Sequence, residues 1–202
     1  MTRVIAGEAG GRRLAVPGGT STRPTSDRAR EGLFASVLSE LGPLEGRRVL
    51  DLYAGSGAVG LEALSRGAGH VLLVEADARA VAVIKANMAT VAIPGAQVRA
   101  EKAERLLARP PAEGDGYDLV FADPPYALAD AAVTRVLALL AAGWLAPGGL
   151  VVVERATRSG EVGWPAGLAS GKSRKYGEAT FWYGRRAAAA NVRDGAGGPG
   201  YE

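Results

Sequence analysis

Asp123-Pro124-Pro125-Tyr126 carries the residue types in this chain best suited to chemistry. Its two prolines fix φ, push the residues before them into extended geometry and remove two N–H donors, leaving carbonyl oxygens and the Asp123 carboxylate as a stiff cluster of acceptors. Tyr126 adds a flat face on which a planar ring can stack. Such a loop suits an amino group attached to an aromatic ring. That amine is a poor nucleophile because its lone pair is delocalised, and acceptors on its hydrogens localise the pair. A carboxylate there also stabilises the positive charge that grows as the amine attacks an electrophilic methyl group. The plainer reading of the same residues is a Pro-rich turn closing a strand.

The tetrapeptide directly follows the apolar run Tyr117 to Ala122, so it lies at the end of a strand, where α/β sheets keep their sites. A second constellation is Gly55-Ser56-Gly57-Ala58-Val59-Gly60, a G-x-G-x-x-G turn between a strand and a helix, with Glu75 twenty residues after Gly55. That pattern also fits a dinucleotide site. Asp51 separates the two readings: it ends the first strand just ahead of Leu52-Tyr53-Ala54-Gly55 and is expected to point a carboxylate into the pocket. A pyrophosphate held at the helix N-terminus would be repelled there. S-adenosyl-L-methionine has no phosphate, carries an ammonium and a sulfonium, and has a ribose diol that can donate to Glu75. It is the favoured cofactor. The structural alternatives are a turn-stabilising Asp51 and a helix-capping Glu75.

The elements that must position these residues alternate along the chain. Strands are expected at 48–52, 71–74, 97–99, 118–122 and 150–154, with helices at 58–66, 77–91, 102–108 and 130–142, and a terminal hairpin over 175–183. Short apolar strands alternating with helices predict a parallel sheet covered on both faces, an α/β Rossmann-like architecture. Ahead of it, residues 1–45 read as an extension: a hairpin around Gly10-Gly11 with Val4-Ile5 and Leu14 to Val16 as strands, then a helix capped by Ser26 or Thr25 and ended by Gly42-Pro43. Residues 46–185 form the main domain, and 186–202 an expected disordered tail.

Composition narrows the classes. The 202 residues include no cysteine and a single histidine, which excludes disulfides, thiolate metal sites and cysteine nucleophiles. No metal is expected. His70 precedes a strand, at the end opposite the candidate site, and reads as a surface residue. No twenty-residue apolar span and no secretory leader are evident, so neither a membrane partner nor export is expected, and the expected location is cytoplasmic. Net charge is +3 and the pI near 9.4, yet arginines and lysines crowd the two ends of the chain while acids fill the middle. Arg3, Arg12, Arg13, Arg23, Arg28 and Arg30 form one basic flank. Arg155, Arg158, Lys172, Arg174, Lys175, Arg185 and Arg186 form the other. Two basic flanks around an acidic pocket suit nucleic-acid phosphates beside a cationic cofactor.

Val49 to Ala68, Asp123 to Tyr126 and the N-terminal Arg23-Pro-Thr-Ser-Asp-Arg-Ala-Arg-Glu31 resemble the RsmD family of 16S ribosomal RNA guanine-N2 methyltransferases; Arg3 to Gly7 and Gly11 to Pro17 fit its opening hairpin. The resemblance covers about residues 3–183. It implies a seven-stranded class I methyltransferase fold with an antiparallel last strand, acting as a monomer on one guanine of the small ribosomal subunit or an assembly intermediate. It further implies that Asp123, Pro124, Pro125 and Tyr126 handle the guanine. Asp51, Tyr53, Ala54, Gly55, Ser56, Gly57, Glu75, Ala76, Lys102, Ala103 and Asp123 would surround the cofactor. Arg3, Arg12, Arg13, Arg23, Thr25, Asp27, Arg28, Lys172, Arg174 and Lys175 would meet RNA or close the pocket. The family commonly has an acid and a small residue where this chain has Lys102-Ala103, so the Ala103 N–H or the Glu101 side chain is left for the adenine. Rival readings are a DNA or RNA adenine-N6 methyltransferase, a nicotinamide oxidoreductase, and a non-catalytic RNA-binding assembly protein.

Overall fold

The computed structural model describes residues 1–18, 25–111 and 116–188, so Arg23 and most of the expected tail, 189–202, lie outside it. The described chain builds nine strands and five α-helices. Strands β3 (Arg48–Leu52), β4 (His70–Glu75), β5 (Ala96–Ala100), β6 (Tyr117–Ala122), β7 (Leu145–Ala156), β8 (Leu168–Tyr176) and β9 (Ala179–Arg186) form one sheet in the order β5-β4-β3-β6-β7-β9-β8. β3 to β7 are mutually parallel, and β9 runs antiparallel between β7 and β8. The expected antiparallel last strand is therefore present, inserted one position from the edge.

The chain winds outward from β3 through β4 to β5, then returns to lay β6 on the other side of β3. The connections after β3 and β6 leave in opposite directions and open a crevice between their carboxyl ends. The glycine turn and Asp123-Pro-Pro-Tyr are these two connections. Helices α2 (Ala58–Ser65), α3 (Ala78–Val91), α4 (Ala103–Leu107) and α5 (Asp130–Leu139) cover the two faces, and apolar runs such as Val49 to Leu52 and Val71 to Val74 are buried on both sides.

The N-terminal extension shares this core. Its hairpin pairs β1 (Thr2–Arg3) with β2 (Arg13–Leu14), shorter strands than expected, because backbone groups from Ile5 to Ala9 bond helix α2 instead. The Ile5 and Ala6 N–H groups donate to the buried Glu62 of α2, at 2.6 and 3.0 Å, while Ser65 bonds the Ala6 carbonyl and the Ala9 N–H. Gly7 has φ +83° and lies so close to the Ser65 carbonyl that a Cβ would fall 1.8 Å from its oxygen. Only glycine fits there. Helix α1 (Asp27–Leu41) starts on the Ser26 side chain, which accepts from the Ala29 N–H, and ends at Gly42. Its Leu33, Phe34 and Val37 join Phe121, Val152 and Phe181 of the sheet in one apolar cluster.

His70 departs from expectation. It lies at the amino end of β4, away from the crevice, but is half-buried against Tyr117, with ring centroids 6.0 Å apart. Burial, then the Arg48 charge, holds its pKa below the usual value.

Candidate active site

The sheet's register gathers the acids. Asp51 pairs with Phe121, and Phe121 with Val152, so these three share one face. Asp123 stands two residues beyond Phe121 and Glu154 two beyond Val152, which puts Asp51, Asp123 and Glu154 on that same face at the carboxyl end of the sheet. All three are held protonated more strongly than ordinary carboxyls. Burial raises Asp51 to about 8. It also raises Asp123 well above its ordinary value, reinforced by the charges of Glu154 and Asp51 against the opposing Arg155, and it raises Glu154 against the Thr25 hydrogen bond.

Asp51 is expected from the sequence to point its carboxylate into the pocket just ahead of the glycines. It is 2% exposed, tucked beneath the glycine turn, where one carboxylate oxygen accepts the Gly60 N–H at 2.8 Å. Gly60 permits that approach because a Cβ there would meet Leu73, Val71 and the Asp51 oxygen at 2.9 to 3.1 Å. Above it, Tyr53, Gly55 and Gly57 all take positive φ, so the turn is tightly wound. The space over Gly55 is open, with no atom within 4 Å of a Cβ built there. Glu75 is half-buried; one oxygen accepts the Gly55 N–H at 2.9 Å and the other the Asp77 N–H at 2.8 Å. Ala54 is half-buried and Ala76 exposed beside them. Ser56 is buried, and its carbonyl accepts from Asn87, which also exchanges two hydrogen bonds with Ala15 of the extension.

On the next rim, Lys102 is exposed and caps α4, whose first-turn Ala103 N–H has no intrahelical acceptor. Glu101, the other residue expected near the adenine, is taken by Arg109 at 2.6 Å. The Tyr53 hydroxyl donates to Glu104 at 2.7 Å and so joins this rim to the glycine turn.

Across the crevice, Pro124 is buried, while Pro125 and Tyr126 are exposed, Tyr126 at 43%. The Pro125 carbonyl accepts from the Leu128 N–H and from Arg155. Arg155, 3% exposed, also donates to the Leu128 carbonyl at 2.9 Å and to Asp130 at 3.0 Å. Composition placed it in a surface basic flank; instead its guanidinium holds the loop from beneath. Arg30 is likewise buried, between Asp27 and Glu62.

The remaining expected contacts divide by position. Thr25 reaches the site, its hydroxyl donating to Glu154 at 2.7 Å. Asp27 does not: it is engaged by Thr2, Arg3 and Arg30. Arg12 donates to the Thr90 and Val91 carbonyls, at the far end of a 14-residue helix, so it stands about 20 Å from the crevice. Lys172 turns to Glu40 at 2.9 Å, in the last turn of α1, away from the site. Arg13, Arg28, Arg174 and Lys175 are exposed, with no ion pair among the described residues. β8 runs parallel to β7, so Arg174 and Lys175 sit at its site end.

Comparison with known proteins accords with this layout. The family model described as conserved hypothetical protein 95 matches residues 2–185. Ribosomal RNA small subunit methyltransferase D of Escherichia coli strain K12 is 36% identical over 182 residues, covering 89% of this chain and 87% of the relative. This chain belongs to the RsmD family. Among solved structures, a hypothetical protein of Thermus thermophilus superposes with TM-score 0.75 at 37% identity, over 91% of this chain and 98% of the other. Magnesium protoporphyrin IX methyltransferase from Synechocystis PCC 6803, solved with bound SAM, shares the fold alone at TM-score 0.61 and 15% identity, covering 79% of each chain. The class I methyltransferase fold read from the RsmD motifs is thereby shown.

Sequence reasoning passed over Glu154 and Arg155. A signal for Glu154 was present, since the apolar runs of β3, β4, β6 and β7 each end on an acid: Asp51, Glu75, Asp123 and Glu154.

Proposed function

We infer that this protein transfers a methyl group from S-adenosyl-L-methionine to the exocyclic N2 amine of a guanine in 16S ribosomal RNA of the small subunit. The observation that carries the reading is Asp123, a half-buried carboxyl held well above its ordinary pKa at the carboxyl end of β6, between the glycine turn and the exposed Tyr126 ring. Desolvated acids stacked on one face favour a cationic ligand, and the open space over Gly55 gives it room. The cofactor, when bound, supplies an electrophilic methyl group on a sulfonium.

The residues divide the work by position. Glu75, fixed by two N–H groups, retains lone pairs for a ribose diol. Asp51, locked to Gly60, lends negative charge from beneath the turn without occupying its space. Tyr126 stacks a base turned out of the RNA. Asp123 and the Pro124 carbonyl take the two amine hydrogens and so direct the nitrogen lone pair toward the Gly55 side. Positioning supplies most of the rate. After transfer the methylated amine is cationic and strongly acidic, and Asp123, already hydrogen-bonded to it, receives its proton; no histidine is needed. Arg28, Arg174 and Lys175 border this end of the sheet and suit RNA phosphates.

The reading is tested with labelled S-adenosylmethionine and small subunits from a strain lacking the enzyme, the product being mapped by nuclease digestion and mass spectrometry. N2-methylguanine is expected. N6-methyladenine as the only product, or transfer to DNA alone, overturns it. Asp123→Ala should abolish transfer while cofactor affinity stays within a few-fold; loss of cofactor binding would overturn the division of roles.

A further inference from the structure

Glu154 is the acid of this site that no motif marks. It is 4% exposed, and extending the β6–β7 register from Ala122 opposite Val153 puts it beside Asp123 on the crevice face. One of its oxygens accepts from Thr25 at 2.7 Å; the other takes no hydrogen bond among the described residues. No ion pair among those residues neutralises it, because the adjacent Arg155 is turned to the opposite face and committed to the Pro125 and Leu128 carbonyls and to Asp130. The Glu154 charge is felt by both Asp123 and the Tyr126 phenol, so the carboxylate lies within electrostatic reach of the groups that would hold the amine and stack the ring.

The chemistry of the amino-bearing bases gives this placement its meaning. In guanine the ring nitrogen beside the amine, N1, carries a hydrogen. In adenine and cytosine the corresponding ring nitrogens, N1 and N3, carry a lone pair. In its ionised form a carboxylate beside the amine site only accepts, so it completes a hydrogen bond with guanine and repels the other two. We propose that Glu154 is the base-selecting residue, its free carboxylate oxygen accepting the N1–H of the target guanine while Thr25 fixes its orientation. The inference rests on the guanine-N2 reading above and supplies that reading with a discriminating contact in this chain.

The probe is 2-aminopurine, which keeps guanine's 2-amine but has an unprotonated N1. Small subunits are reconstituted on 16S RNA bearing guanine or 2-aminopurine at the position methylated by the wild-type protein, and kcat/KM is measured for each. A site built to bond a donor rejects the analogue lacking it, so wild-type protein should prefer guanine by at least about 100-fold. Glu154→Gln can turn its amide N–H toward a bare N1 and should narrow the preference to within about tenfold, with S-adenosylmethionine affinity unchanged by calorimetry. Thr25→Val, which frees the Glu154 carboxylate from its donor, should narrow the preference in the same direction but by less than Glu154→Gln.

Equal losses on guanine and 2-aminopurine in Glu154→Gln would show that the carboxylate only anchors the N-terminal segment, and would overturn the proposal. A wild-type protein indifferent to 2-aminopurine overturns it too, even if the variant fails to fold. Failure of wild-type protein to methylate unmodified subunits is a separate outcome, and sinks the functional reading instead.

Discussion

The pKa of Asp51 yields a quantitative prediction about cofactor binding. Burial raises this carboxyl from 3.8 in the unfolded chain to about 8 in the fold, so at pH 6.5 nearly all molecules carry it protonated. A sulfonium and an ammonium nearby favour the ionised form, and binding must then release a proton. If binding demands full ionisation, affinity should rise about tenfold per pH unit well below the pKa and level off above it, which amounts to about 16-fold, or about 1.6 kcal/mol, between pH 6.5 and 8. Isothermal calorimetry in buffers of differing ionisation enthalpy reads both the affinity and the proton count. Asp123 and Glu154 also titrate high, so the control is Asp51→Asn, which keeps an acceptor for the Gly60 N–H but has no charge to lose. It should bind more weakly at pH 8 and show a shallower pH slope. The stability of the protein without cofactor moves the opposite way. Because the folded pKa is raised, the fold holds more protons than the unfolded chain between pH 3.8 and about 8, and stability falls as pH climbs through that window. Flat affinity from pH 6.5 to 8.5 in wild-type protein, or the same slope in Asp51→Asn, would refute the reasoning.

Two further substitutions probe the parts that hold the site. Gly60→Ala places a Cβ 2.9 Å from Leu73 and 3.1 Å from the Asp51 oxygen, so thermal unfolding should show a loss of about 1–3 kcal/mol, with cofactor affinity reduced as Asp51 is pushed from its N–H. Arg155→Met removes the guanidinium that ties the Pro125 and Leu128 carbonyls to Asp130 and so loosens the loop; kcat should fall at least tenfold while the S-adenosylmethionine Kd stays within about threefold.

The sheet, the crevice and the two loops that meet there were legible because their signals are local. Apolar runs of five or six residues, glycines at fixed spacing and a Pro-Pro pair each dictate backbone geometry where they stand. The N-terminal extension was legible as a hairpin and a helix but not as part of the core. Its docking depends on Glu62, Ser65 and Asn87, polar residues inside helical patterns that look like solvent-facing positions until the fold brings unpaired N–H groups against them. Charge counting failed for the same reason. Arg12, Arg30, Arg155 and Lys172 read as surface cations, yet each is committed to a carbonyl or carboxylate far away in sequence. A long basic side chain is assigned by its partner, and composition does not name partners.

The row of acids is costly to the fold. Asp51, Asp123 and Glu154 are all held in raised-pKa environments, and none has a cation of its own, among the described residues, near enough to keep it in the ordinary carboxylate range. Arg155, the nearest candidate, opposes the shift at Asp123 without reversing it. A fold selected for stability alone would replace such groups with apolar residues, because burying unpaired carboxyls is unfavourable and apolar side chains of similar volume pack there without penalty. A dinucleotide site would be worse served still, since its pyrophosphate would meet Asp51 beneath the turn and Glu75 beside it with no compensating cation. The arrangement makes physical sense when the balancing charge arrives with the ligand. A sulfonium over Gly55 would lie above Asp51 and toward Asp123, and a guanine edge would bring three N–H donors to Asp123, the Pro124 carbonyl and Glu154. Each desolvated acid then meets either a positive charge or a hydrogen, so the groups that cost the fold stability are the ones that make the site selective.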